Sequence, residues 1–280
     1  MPTGAKKGFN PARKVGSGPD NKSLSSYTIA SGYATSLGLG DPVKLHTDGT
    51  LIKATNGADA IGVFGGVKYI NSLGEPKWSK AWIASTVATE IEALVLDDPF
   101  ATFSVLGDGP IAGVVVGDIY ACNLEAANTS TGNSQATIAV TASTTGNVAL
   151  PLTTLVGAVS GMADGDTFTI YTNKPGNSAV TITIATATTG QEFLDALNAV
   201  DGIVATRNGS NYLVLTADNG YDIVLATGTG APLTDLGLSA GTKTAVVAAN
   251  AGLVKVVKVT DVDNYVMEAV LVNHSLRDDV

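Results

Sequence analysis

The sequence is short of almost everything that chemistry is usually built from. One cysteine, Cys122, excludes an intrachain disulfide and any cysteine-based zinc site. Two histidines, His46 and His274, leave little material for a metal centre or a catalytic triad, and both lie in alternating, strand-like segments. Charged residues make up only 15% of the 280 residues, against about a quarter in ordinary globular chains. With 45% hydrophobic residues, that scarcity argues against a disordered chain, which needs high charge and few apolar groups. No apolar run approaches the roughly eighteen residues of a membrane-spanning helix. The basic residues near the N-terminus are not followed by an apolar stretch, so no secretory signal is expected. The net charge of −9 disfavours nucleic acid as the main partner.

Motifs for cofactor chemistry are equally sparse. The G-x-G pairs at Gly38/Gly40, Gly107/Gly109 and Gly228/Gly230 lack the third glycine and the strand–helix context of a dinucleotide site. There is no phosphate-binding loop and no nucleophile elbow. Asp97-Asp98 and Asp164-Gly165-Asp166 have the composition of a calcium site or an acid pair, but each precedes an apparent turn, where Asp is favoured for backbone reasons. Cys122, within "IYACNL", reads as a small buried side chain. No cofactor, metal or catalytic residue is expected, and the chain does not read as an enzyme.

What is present is β-pattern. "DPVKLHTDGTLIKAT" alternates about an Asp48-Gly49 turn, the dipeptide of tight hairpins. "AIGVFGGVKYINSLGEPKWSKAWIA" reads as two strands joined through Asn71 to Pro76, and "EIEALVLDDPFATFSVLG" and "IAGVVVGDIYACNL" add more. Short strands punctuated by Gly and Pro about every ten residues indicate a sandwich or barrel.

Composition shifts twice along the chain. Residues 1–22 carry Lys6, Lys7, Arg13, Lys14 and Lys22 against one acid, Asp20, with no apolar period. This predicts an extended basic arm, residues 1–23, that does not fold alone and orders on an acidic neighbour. Residues 126–249 hold only 11 charged side chains and open with a Thr/Ser/Asn/Gly-rich connector. Within them, "DTFTIYTN" and "AVTITIAT" read as strands paired around "KPGN". A helix capped by Thr189, with Glu192 closing a capping box, follows, and then three strands. Strands like those of the first section resume near residue 250. The predicted fold is mainly β: a β-sandwich or barrel domain formed by 24–125 and 250–280, with a small β/α (β-β-α-β-β-β) domain, 126–249, inserted into it.

Trp78 and Trp82 are the only tryptophans. Strand alternation puts them on one face with Lys80 between, either an edge presented to a neighbour or part of a hydrophobic core.

Two resemblances add a function. "SYTIASGYATSLGLGDPVKLHTDGTLIKAT", "AIGVFGGVKYINSLGEPKWSKAW" and the closing "NYVMEAVLVNHSL" resemble the head decoration (cement) proteins of tailed bacteriophages, across roughly residues 8–125 and 250–276. "DGDTFTI", "TTGQEFLDALNAVDGIVATRNGSNYLVLTADNGYDIVLATG" and "LTDLGLSAG" are similar to the flagellin hook IN motif, over about 157–240. The first resemblance implies a virion structural protein on the outer capsid surface, bound to the major capsid protein and to itself as a homotrimer. Its candidate capsid or subunit contacts are Lys6, Lys7, Arg13, Lys14, Trp78 and Trp82. Neither family supplies a catalytic residue. The alternative is a surface adhesin whose inserted domain recognises host glycans; neither reading involves nucleic acid or a membrane.

Overall fold

The computed structural model describes residues 6–14, 24–150, 159, 161–185, 188–218, 220–246 and 251–272. The chain is mainly β and divides into two compact units, one of residues 1–108, 115–139 and 246–280, the other of 109–114 and 140–245. Along the chain the first unit begins with β1 (Asn10–Lys14), β2 (Ser25–Tyr27), β3 (Pro42–Leu45), β4 (Leu51–Lys53), β5 (Gly62–Asn71) and β6 (Pro76–Ser79). It continues with β7 (Ala88–Leu96), β8 (Ala101–Leu106), β9 (Ile119–Tyr120), β10 (Cys122–Asn123) and β11 (Thr137–Ile138). The second unit holds β12 (Ser143–Ala149), β13 (Thr167–Thr172), β14 (Val180–Thr183), α1 (Gly190–Asn198), β15 (Ile203–Arg207) and β16 (Tyr212–Ala217). β17 (Ile223–Thr227), α2 (Pro232–Asp235) and β18 (Gly241–Lys243) complete it, and β19 (Val254–Asp261) and β20 (Val266–Leu271) return to the first unit.

In the first unit one sheet runs β2-β7-β5-β3-β4, with β6 also paired to β5. The amide of Leu51 in β4 donates to the carbonyl of Thr28, just past β2, at 2.8 Å. The two edges therefore meet, and the sheet curls round a core that includes Ile29, Leu37, Val43, Phe64, Val67 and Trp82. A second sheet runs β1-β8-β20-β19-β9. The hairpin expected about Asp48-Gly49 is present, and the Asp48 carboxylate accepts both the amide and the hydroxyl of Thr50.

A buried carboxylate ties this unit together. Asp41 is fully buried. One oxygen accepts the Gly38 amide at 2.7 Å; the other accepts the Ser134 hydroxyl at 2.6 Å and lies 3.1 Å from the Lys53 ammonium. Lys53 also donates to the carbonyl of Glu125. Gly8 packs into the same knot with φ +65°, where a Cβ would come within 2.4 Å of Ser134 Cβ and 2.6 Å of the Gly40 carbonyl oxygen. Only glycine fits there.

The second unit contains the sheets β12-β16-β15 and β14-β13-β17-β18. The β13–β14 hairpin and the capped helix are as the sequence predicts. The Glu192 carboxylate accepts the Thr189 amide at 2.7 Å, which holds its titration below the usual carboxylate range, while Thr189 Oγ1 accepts the Glu192 amide. Phe193, Leu194, Leu197 and Val200 are all buried in one core with both sheets. The helix ends at Asn198, whose side-chain amide exchanges two hydrogen bonds with the backbone of Ala205 in β15.

The boundary between units differs from the sequence expectation. Residues 126–139 belong to the first unit, not to an exposed connector. Ser134, Ala136, Thr137 and Ile138 are buried there, and Leu39 exchanges backbone hydrogen bonds with Gly132 and Ser134. Small hydroxyl residues read as a joint in sequence, but here Ser134 serves a buried acid.

Asp41→Ala leaves the Lys53 side chain, only 10% exposed, without its counter-ion and is expected to destabilise the fold by about 3–5 kcal/mol in denaturant unfolding. Asp41→Asn, which keeps an acceptor, should cost less. Tyr27 donates to Asp97 Oδ2 at 2.8 Å, and burial together with that carboxylate pushes its phenol up to about 12. The fold thus favours the protonated phenol, so this contact stabilises fully below pH 10 and is lost as pH rises through about 12. The melting temperature should fall over that window, and less steeply in Tyr27→Phe.

Candidate functional site

The basic residues near the N-terminus are largely spent inside the chain. β1 pairs antiparallel with β8 at the edge of the five-stranded sheet. Phe9, 1% exposed, packs edge-on against Phe103 with ring centroids 6.0 Å apart. Lys6 pairs with Glu125 at 2.9 Å, Arg13 with Glu268 at 2.7 Å, and Lys14 with Asp98 at 3.0 Å. Lys14 also sits 5.9 Å from the centre of the Phe100 ring. The expectation of an arm that orders only on a neighbour is therefore corrected for residues 6–14. Their charges suggested a solvated tail, but the single Phe9 anchor and the strand ladder outweigh that. Exposed ion pairs add only about 0–1 kcal/mol each. Lys7 is exposed and makes no ion pair among the described residues. Lys22 and His274 lie outside the described residues.

The two tryptophans do not share a face. β6 ends at Ser79, whose hydroxyl accepts the Ala81 amide and donates to the Ala81 carbonyl. That local turn breaks the alternation before Trp82. Trp82 instead pairs its backbone with Leu37, is 0% exposed and meets Tyr69 edge-on at 5.8 Å. Trp82 is thus corrected from a contact residue to a core residue. Trp78 is 58% exposed.

Trp78 stands on a groove of about 400 Å³, lined by Lys68, Tyr69, Ile70, Pro76, Lys77, Trp78, Glu90 and Glu92. Strand register builds it. Trp78 of β6 lies opposite Lys68 of β5, which in turn lies opposite Glu92 of β7, so the three share one face. Ile70 and Pro76 form the next pair on that face. The Lys68 ammonium is 3.5 Å from Glu92, and Lys77 pairs with Glu75 at 2.9 Å. The indole is held by the backbone beneath it. Gly66 has φ +124°, and a Cβ there would meet Trp78 Cη2 at 3.3 Å and the Ser79 carbonyl oxygen at 3.1 Å. Glu90 enters the groove from a β-bulge, where the β5–β7 register shifts between Lys68 and Ile70, and it has φ +48°. A bulge re-aims a side chain, and a non-glycine residue in this region carries backbone strain of order 1–3 kcal/mol.

Sequence reasoning singled out Trp78 but not Lys68, Glu90 or Glu92. Their outward position was readable from alternation; their convergence on Trp78 depends on register and on the bulge.

The remaining candidates are structural. His46 is exposed and lies 3.0 Å from Asp48, whose pKa is lowered to about 2 by hydrogen bonds from Thr50 and His46. Asp98 accepts the Phe100 amide, and Asp166 accepts the Ala163 amide, both as turn contacts. Cys122 is buried, which pushes its thiol well above the usual range. Among the described residues no group of three or more His, Cys, Asp or Glu side chains could hold a metal ion. No helix among them is long and apolar enough to cross a membrane.

No protein-family profile, curated protein or solved structure matches this chain.

The two tryptophans make a direct contrast. Trp82→Ala should cost about 3–5 kcal/mol in equilibrium unfolding. Trp78→Ala should stay within about 0.5 kcal/mol, because its ring is mainly in solvent.

Proposed function

We propose that this chain is a virion structural protein that decorates and reinforces the outside of a tailed-phage capsid. In this reading the first unit attaches to the major capsid protein and to other copies of the chain as a trimer. The second unit is carried as an appendage that attachment does not need.

One observation carries the reading beyond the sequence resemblance. Of the twelve exposed large hydrophobic side chains among the described residues, ten belong to the first unit and two, Val180 and Val204, to the second. Val87 is 68% exposed, Val116 56% and Val115 55%. Covering the area such side chains still expose is favourable by about 25 cal/mol per Å², so the first unit is the one with surface to gain from association. Many weak contacts of this kind, repeated over a shell, sum through multivalency. The second unit has 8 acids and 3 bases and its aromatic rings are buried or half-buried, which fits a solvated appendage. The same fact weighs against glycan recognition by that unit, since Phe168 and Phe193 are core residues.

Copy number tests the reading. Quantitative mass spectrometry of purified particles from the genome that encodes this chain should find hundreds of copies. About a dozen would indicate a tail or fibre adhesin, and none would overturn a virion role. The double variant Val87→Asp/Val116→Asp should fold normally yet be lost from particles. Full occupancy by that variant would show that attachment uses another surface.

A further inference from the structure

We propose that the Trp78 groove of the first unit is a binding site for an uncharged saccharide. The argument begins with the aromatic residues. Of 2 tryptophans, 8 tyrosines and 6 phenylalanines, only Trp78 and Phe100 are exposed. Phe100 already has the Lys14 ammonium over its ring. Trp78 is therefore the one aromatic platform left to a ligand, and it stands on the first unit.

An exposed indole has an apolar face that matches the C–H face of a pyranose ring, which removes both from water. The polar groups around it fit the rest of a sugar. Each hydroxyl both donates and accepts, and the groove offers the Lys68 ammonium as donor beside carboxylate acceptors in Glu90 and Glu92. Lys77 is held by Glu75 at 2.9 Å, so the lining charge is Lys68 against Glu90 and Glu92, with Lys68 and Glu92 facing each other at 3.5 Å. The surplus carboxylate turns away acidic sugars, and the indole favours an uncharged pyranose face over a hydrated cation. The volume, about 400 Å³, lies in the range of roughly 300–1,000 Å³ typical of small-molecule sites.

The groove is also built to hold its shape. Gly66 is the residue that lets the indole lie against the β5 backbone, and the left-handed Glu90 brings an acceptor in through the bulge. A protein segment fits less well. β6 begins with Pro76, which has no amide to offer an added strand, and the carboxylates of Glu90 and Glu92 turn away an acidic peptide. The proposal does not rest on the capsid reading, since it concerns a small ligand and a different set of side chains from Val87 and Val116.

Fluorescence titration tests it on the full chain, because Trp82 is buried and constant while Trp78 reports the groove. The probes are cellotriose, maltotriose and chitotriose, with pentalysine and pentaglutamate as controls. At least one trisaccharide should shift the emission, with an affinity unchanged between low and moderate salt because the ligand is uncharged. Trp78→Ala should abolish binding measured by calorimetry, and Trp78→Tyr should retain part of it. Glu90→Gln should weaken it about tenfold, the loss expected for one hydrogen bond to a charged acceptor. Unchanged circular dichroism in each variant separates lost binding from lost fold. The proposal fails if no trisaccharide binds at about 10 mM, a concentration that would reveal even millimolar affinity. It also fails if binding survives Trp78→Ala, or if a charged peptide is the ligand that Trp78→Ala removes.

Discussion

The first unit depends on a buried charge. Asp41, fully enclosed, is reached by Lys53, Gly38 and Ser134, which come from three separate stretches of the chain. A carboxylate out of water has to be neutralised and hydrogen-bonded, so these stretches are not free to drift. The consequence is registry more than net stability. Lys53 sits in β4, and Ser134 in the segment that precedes β11. One acid thereby fixes where the edge of the closed sheet meets a segment some ninety residues downstream. Glycines at 8 and 40 let two backbones pass close enough for the knot to exist, and the Phe9 amide donates to the Gly40 carbonyl at 2.9 Å. The N-terminal segment is held in place by the same device.

With the frame fixed, small local choices decide what faces water. Trp78 and Trp82 are four residues apart, and uninterrupted pairing would have given them a common fate. The hydroxyl of Ser79 closes a turn onto Ala81 and sends the second indole into the core. The first stays outside, lying over Gly66. A residue without a side chain on one strand is what permits a large ring on the next. The bulge at Glu90 works in the same way, exchanging ladder regularity for the direction of one carboxylate.

Much of this was legible from residue order. Hairpins with strong turn chemistry, at Asp48-Gly49, at Asn71 to Pro76 and at "KPGN", lie where the pattern puts them, because the turn residues specify backbone angles locally. The capped helix was readable for the same reason: Thr189 and Glu192 satisfy each other within one turn. What was not legible is non-local. The segment 126–139 looks like a solvated joint until Asp41 is known to be waiting for Ser134. Lys6, Arg13 and Lys14 look unsatisfied until Glu125, Glu268 and Asp98 are brought beside them. β12 and β18 escape a hydrophobic-periodicity reading because the inward positions of β12 are Thr144, Gly146 and Val148, of which only the last is a large apolar residue, and β18 is only three residues long, Gly-Thr-Lys.

The two units also solve the surface problem differently, and this bears on what each is for. Among the described residues, the second unit buries 22 apolar side chains in one core and leaves only Val180 and Val204 large, apolar and exposed. It has little to gain by touching anything. The first unit keeps Leu73, Ile83, Val87, Val115 and Val116 in water although its core is well formed. Scattered exposed apolar residues are ordinary, but ten on one unit against two on the other, among the described residues, is a difference in kind of surface. Side chains that the core does not need, on a frame held rigid by a buried acid, are suited to contacts made after folding. The Trp78 groove shares that rigidity. A pre-formed site loses little conformational entropy when it is filled, which is what a shallow groove with one exposed aromatic ring requires to bind at all.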